Sequence, residues 1–233
     1  MQHTVEIIPA IIPQSWKEIE AKTEQIRGLT KTVQIDITDG VFVPNKSWPY
    51  IPQGSDEFES LVRGEKGFPY WEELNYEIDL MVKEPELVIQ NWITAGAARI
   101  VVHVESTHYL EEIVQSFGKD ETGSYRTHEL GIAIHIKTPN DAIYSAVPRV
   151  DFIQCMGIET IGYQGQPFSE KVIPKIKDLR ERFPEAIISV DGGVNEKSAP
   201  KLIATGAHRL VSGSAIWNAP DIKKAIRKLA ASA

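Results

Sequence analysis

Two short stretches near the end of the chain bring together groups that could do chemistry. Ser189-Val190-Asp191-Gly192-Gly193-Val194 ends an apolar run on a carboxylate followed by two glycines, and Gly213-Ser214-Ala215-Ile216 follows a second apolar run further on. Glycines let a turning backbone come close enough to an anion for its N–H groups to bind it. One carboxylate beside a backbone cradle for phosphate, formed by Gly192, Gly193, Gly213 and Ser214, is the arrangement that sugar-phosphate chemistry needs. A second carboxylate stands out in Gln34-Ile35-Asp36, where the strand period of two places Gln34 and Asp36 on one face and sends Ile35 and Ile37 toward the other. A carboxylate inside an apolar strand is costly unless it is used or paired, so Asp36 and Asp191 are read as functional groups able to exchange protons. Asp79, after Glu77 and Ile78, follows the same logic.

Other polar residues near strand ends have a simpler reading beside the functional one. Asp39-Gly40 suits a turn. His103 and His135 alternate with Val and Ile as core histidines do, and Lys137 suits a solvated surface. A carbonyl-polarising or Schiff-base role for Lys137 requires an apolar pocket around it.

The elements that must hold these residues alternate. Apolar, β-rich runs fall at 5–12, 32–37, 76–82, 99–104, 131–136, 151–156, 186–190 and 209–212, with amphipathic helical patterns such as 85–95, 169–182, 196–205 and 220–229 between them. Strand-helix alternation implies parallel strands, and eight such units close best as a (β/α)8 TIM barrel of the α/β class rather than an open doubly wound sheet. Such a barrel presents its reactive groups at the C-terminal ends of its strands, with the phosphate site in the loops after strands seven and eight. Ala95-Gly96-Ala97 and Thr205-Gly206-Ala207 read as helix C-caps. The stretch 46–75 is an extended loop with one helical pattern at 55–62. Its Trp48, Tyr50, Phe68, Tyr70 and Trp71 are expected to supply aromatic surface for a lid or a subunit contact.

With 233 residues and 42% hydrophobic content, the chain is expected to form a single domain over residues 1–233. A formal charge of −7, from 25 basic and 32 acidic residues, excludes nucleic acid or an anionic membrane as the main partner. The single Cys155 rules out an intramolecular disulfide, and Met1-Gln2-His3-Thr4-Val5 lacks the charged and apolar regions of a signal peptide, so a cytoplasmic location is expected.

The chain resembles the ribulose-phosphate 3-epimerase family over nearly its whole length. The resemblance rests on Pro9-Ala10-Ile11-Ile12, on the segment from Asp36 through Asp39-Gly40-Val41-Phe42-Val43-Pro44-Asn45, on Leu80-Met81-Val82 with Pro85-Glu86, and on His103-Val104-Glu105. It continues through Gly162-Tyr163-Gln164-Gly165-Gln166, Val190-Asp191-Gly192-Gly193-Val194 and Gly213-Ser214-Ala215-Ile216. It implies an isomerase that epimerises a ketose phosphate at C3, one aspartate removing the proton next to the carbonyl and a second returning one on the opposite face through an enediolate. Asp36 and Asp191 match those acids. The resemblance further implies that Gly165 joins the phosphate cradle, that Met81 and Met156 line the apolar side of the pocket, and that the protein is a homo-oligomer.

The family also implies a divalent metal held by two histidines and the two aspartates, and here the chain departs from it. The histidine positions are occupied by Gln34 and Asp79. Gln34, Asp36, Asp79 and Asp191 form an oxygen-only set suited to magnesium or manganese rather than zinc or iron. Three outcomes stay open at this level: an epimerase with a hard metal, a metal-free enzyme with a changed substrate or reaction, and a sugar-phosphate-binding barrel without catalysis. In a related barrel group, the hexulose-phosphate synthases and phosphate-sugar decarboxylases, strand three carries Asp-x-Lys-x-x-Asp. The corresponding run here, Asp79-Leu80-Met81-Val82-Lys83-Glu84, lacks that lysine and the second aspartate.

Overall fold

A computed structural model of the chain describes residues 5–52, 54–119 and 126–231. Each strand is built on the period of two, but what it puts on its two faces is unusual. In β2 (Thr32–Thr38) every residue is buried. Val33, Ile35 and Ile37 belong to the large apolar layer that also takes Ile19 and Ile26 of α1 (Trp16–Ile26), while Gln34 and Asp36 turn into the barrel. The strands β1 (Glu6–Ile11), β2, β3 (Asn75–Met81), β4 (Arg99–His103), β5 (Glu129–Ile134), β6 (Phe152–Met156), β7 (Ile187–Asp191) and β8 (Arg209–Ser212) pair in parallel in that order and close on themselves. The main hydrophobic core is therefore the layer between sheet and helices. Inside the cylinder apolar packing is reduced to two small groups, Val101, Ala133, Phe152 and Met156 on one side and Ile8, Ala10 and Val211 on the other.

The register decides which polar residues meet. Asp36 pairs with Asp79, Ala10 with Gln34, Met156 with Asp191 and Asp191 with Val211. The outer helices are α1, α2 (Gly54–Val62), α3 (Ile89–Thr94), α4 (Leu110–Phe117), α5 (Val172–Arg182), α6 (Ala199–Thr205), the short α7 (Ser214–Trp217) and α8 (Ile222–Ala230). The Ser15 side chain caps α1 by accepting from the Glu18 amide at 3.2 Å, and Asp221 caps α8 by accepting from Lys224 at 2.8 Å. Between β5 and β6 the described chain forms 3-10 turns, Asn140–Ile143 and Val147–Arg149, in place of an α-helix. Pro148 lacks the N–H that a continuing helix would need. No helix among the described residues is long and apolar enough to cross a membrane.

The segment after β2 departs from expectation. Trp48 is fully buried, with its ring centroid 5.4 Å from Trp16, 6.0 Å from Phe58 and 5.9 Å from Trp92. Phe68 stacks on Tyr76 at 4.2 Å. These rings close the helical layer around α2 instead of forming a surface, and no described residue of 46–75 lines the mouth of the barrel. Of the five aromatics named from sequence, Trp71 and Tyr50 are exposed, at 66% and 37%.

The N-terminal end of the barrel is plugged by charge. Arg99 lies 3.2 Å from Glu6, 3.4 Å from Glu77 and 3.2 Å from Glu129, and Arg209 lies 3.2 Å from Glu6 and 3.1 Å from Glu129 while covering the Phe152 ring. Glu77 is fully buried, and burial pushes its carboxyl up to about 7 against the pull of Arg99 and Arg209. A carboxyl raised on folding contributes stability that is fully present below its unfolded value near 4.5 and is lost as pH rises through about 7. We expect the unfolding free energy of the native chain to fall more steeply between about pH 5 and pH 8 than that of Glu77→Gln, by up to about 3 kcal/mol. Urea unfolding of both proteins at the two pH values checks this, and equal pH slopes would contradict it.

Candidate active site

Four strands deliver polar side chains to one level inside the upper barrel. Asp36 comes from β2, Asp79 from β3, His103 from β4 and Asp191 from the last position of β7. Each of the three aspartates offers a carboxylate oxygen, and these oxygens lie within 4.8 Å of one another, a cluster that can accommodate a metal ion. The acids are held by neutral amides and one imidazole. Gln34 Nε2 donates to Asp36 Oδ1 at 2.7 Å and to Asp191 Oδ2 at 3.0 Å, so one amide bridges both acids. Asp79 is paired with His103 Nε2 at 3.0 Å and accepts from Gln154 Nε2 at 3.2 Å. Gln154 Nε2 also reaches Asp191 Oδ2 at 3.5 Å.

Electrostatics follow from this crowding. Asp36 is pushed well above the ordinary carboxylate range, first by burial and then by the nearby charges of Asp191 and Asp79. Burial, and then Asp79, raises Asp191 to about 7. Burial opposes the imidazolium form of His103, but Asp79 outweighs it and holds the ring above its ordinary value. His103 is thus a buried partner of Asp79, with the Phe42 ring 5.5 Å away. Among the described residues Gln34 Oε1 and His103 Nδ1 are buried without a hydrogen-bond partner.

Above this level opens a cavity of about 260 Å³. Asp36 and Asp191 reach it with 5% and 9% of their surface exposed, whereas Gln34 and Asp79 are sealed beneath it. Met81, Met156, Gly165, Gly192, Gly193, Gly213 and Ser214 all line its walls, and no Lys, Arg or His among the described residues does. Gly192 and Gly193 have φ of +91° and +69°, and a Cβ on Gly193 would lie 2.5 Å from the Phe168 backbone. The carbonyl of Gly193 is pinned by Asn195 Nδ2 at 2.8 Å and Ser198 Oγ at 2.9 Å. Ser214 and Ala215 begin α7, so their N–H groups have no acceptor within the helix.

Several residues named from sequence lie elsewhere. His135 follows β5 and points Nε2 at the Glu159 carbonyl. Lys137 is exposed and paired with Glu159 at 3.8 Å, which removes the apolar pocket a Schiff-base lysine needs. Asp39 accepts from Val41, Phe42 and Lys83 amides, tying the loops after β2 and β3 together. Sequence reasoning passed over Gln154, although it sits between Ile153 and Cys155 as Gln34 sits between Val33 and Ile35. It also missed Gln164 and Asn195, whose roles depend on loop contacts that no periodicity marks.

A model of the Ribulose-phosphate 3 epimerase family matches residues 6–217. The chain belongs to the ribulose-phosphate 3-epimerase family. Ribulose-phosphate 3-epimerase of Bacillus subtilis is 29% identical over 97% of this chain and 98% of its own length. The chloroplastic ribulose-5-phosphate-3-epimerase of Arabidopsis thaliana is 31% identical over 97% of this chain and 76% of its own length. These named relatives are isomerases, and membership places this chain among sugar-phosphate epimerases. The fold is shared more widely. A crystal structure of 3-hexulose-6-phosphate synthase from Salmonella typhimurium superposes with a TM-score of 0.68 at 12% identity, covering 98% of each chain. That likeness shows the (β/α)8 barrel alone.

In this member of the family Gly193→Ala is expected to combine a left-handed backbone with a Cβ that has no room, at a cost of about 1–3 kcal/mol. Thermal unfolding together with calorimetric titration of inorganic phosphate checks this, with both stability and phosphate affinity falling. A variant with native melting and native affinity would show that the turn tolerates a side chain.

Proposed function

We propose that the chain epimerises a ketose phosphate of the ribulose 5-phosphate/xylulose 5-phosphate type at C3, with Asp36 and Asp191 as the acid/base pair. The observation that carries this reading is that both carboxylates reach the same small cavity, linked through the single Gln34 amide, while Gly192, Gly193, Gly213 and Ser214 line that cavity beside them. One acid takes the proton next to the carbonyl and the other returns a proton to the opposite face, inverting the carbon. Such a pair must start with one member ionised and the other protonated. Burial raises both carboxyls, with Asp191 and Asp79 adding to it at Asp36 and Asp79 adding to it at Asp191, and this disfavours the doubly ionised state. Backbone amides of Gly165, Gly193, Ser214 and Ala215 hold the phosphate, and Met81 and Met156 pack against the carbon chain.

The donor set fits a divalent ion. Asp36, Asp79 and Asp191 would hold it through carboxylate oxygens, and Gln34 Oε1, buried without a partner beside them, would offer a fourth. Four oxygens favour magnesium or manganese over zinc or iron. When bound, the ion supplies positive charge beside the substrate's developing oxyanion, in a cavity whose lining side chains supply none. One observation favours a second reading, turnover without an ion: Gln34 Nε2 already bridges Asp36 and Asp191, and His103 already pairs with Asp79 at 3.0 Å.

Incubation of the protein with ribulose 5-phosphate in deuterated water tests both readings. We expect deuterium at C3 with inversion, increased by manganese and suppressed by EDTA. Unchanged exchange in EDTA would select the metal-free reading. Phosphate-sugar binding without exchange under any metal would leave a binding barrel and remove the enzyme. Asp36→Asn and Asp191→Asn should each abolish exchange while holding phosphate affinity within about tenfold, because the cradle is backbone.

A further inference from the structure

The seam between β1 and β8 stops one rung short of the cavity. Backbone pairing runs from Glu6 with Arg209 to Pro9 with Ser212, so the next residues up, Ala10 and Gly213, have no rung between them. The Ala10 carbonyl is taken by side chains instead. Gln164 Nε2 donates to it at 2.8 Å and Trp217 Nε1 at 2.6 Å. Gln164 comes from the loop after β6, far away in sequence, and its amide fills the space beside Gly213. A Cβ on Gly213 would sit 2.7 Å from Gln164 Nε2 and 2.9 Å from its Cδ. The same loop is tied on its other side by Asn45, whose Nδ2 donates to the Gly162 carbonyl at 3.0 Å. Gly165, next to Gln164, has φ +77° and open space around it.

We propose that Gln164 is a positioning residue for the phosphate: its amide replaces the missing β1–β8 rung, turns the Gly213-Ser214 backbone toward the cavity, and sets the Gly165 backbone opposite it. Two parts of the cradle that are remote in sequence are thereby held at one spacing by one side chain. Gly213 follows as a packing requirement of Gln164, because a Cβ there would collide with the Gln164 amide. This assignment rests on the sugar-phosphate reading above, because only a phosphate-bearing ligand makes the spacing of the two backbones matter.

The test uses Gln164→Met, which keeps the length of the side chain and removes the donor, with Gln164→Asn as the conservative variant. Calorimetric titration with inorganic phosphate, steady-state kinetics with ribulose 5-phosphate and thermal unfolding are read on each. The expected result for Gln164→Met is a loss of about tenfold in phosphate affinity and an equal rise in KM, the size of one lost hydrogen bond. Its kcat should stay within about twofold and its melting temperature within about 2 °C, and Gln164→Asn should recover part of the loss. Native phosphate affinity and native KM in Gln164→Met would overturn the proposal, as would a fall in kcat with no change in KM. A coupled pair gives a second check. Gly213→Ala should cost less phosphate affinity in a Gln164→Ala background than in the native chain, and strict additivity would contradict the contact. If the native chain turns over no ribulose 5-phosphate yet its phosphate affinity still depends on Gln164, the proposed reaction falls and the role of Gln164 stands.

Discussion

Three carboxylates buried within 4.8 Å of one another are the constraint around which the rest of this barrel is arranged. Taken alone, such a cluster is strongly unfavourable, because each charge loses its hydration and faces two like charges. The chain offsets this with donors placed on neighbouring strands. Gln34 serves Asp36 and Asp191 together, His103 and Gln154 serve Asp79, and the parallel register brings them to one level. The offset is incomplete, as the raised carboxyls of Asp36 and Asp191 show. A site that holds a proton or a cation more readily than an ordinary carboxylate does is what proton exchange next to a carbonyl requires.

Such an interior is tolerable because stability comes from elsewhere. The large apolar layer between strands and helices, thickened where Trp48 and Phe58 of the segment after β2 meet Trp16 of α1 and Trp92 of α3, leaves the inner face free to be polar. The lower end of the cylinder is closed by the Arg99 and Arg209 network with Glu6, Glu77 and Glu129. Charge is thus balanced by arginines at the bottom and left acidic at the top. No basic side chain among the described residues lines the cavity, so the proposed phosphate site rests on backbone amides such as those of Gly193 and Ser214, and on any cation the acids hold.

Much of this was legible because strand periodicity is local. The alternation in residues 32–38 places Gln34 and Asp36 together and Ile35 and Ile37 outside, and the eight apolar runs lie on the eight strands with shifts of a residue or two at most ends. The cavity lining gathers every residue named for the acid pair, the phosphate cradle and the apolar wall. What escaped was non-local. Gln164 acquires its position only through the Ala10 carbonyl across the barrel, and the pairing of His103 with Asp79 depends on the β3–β4 register. The aromatic run after β2 read as surface because it mixes Pro, Gly and charge and offers only one helical pattern, 55–62. Its burial comes from Trp48 and Phe68, which lie in the flanking loops.

In the proposed complex two acids flank one sugar phosphate from opposite sides. The most direct measurement is a crystal structure of the protein with a bound ketose phosphate. The account predicts the phosphate on the backbone of Gly193 and Ser214, with C3 between the carboxylates of Asp36 and Asp191 and one carboxylate on each face of the carbon chain. A phosphate bound elsewhere, or both carboxylates on the same face of the sugar, would contradict it.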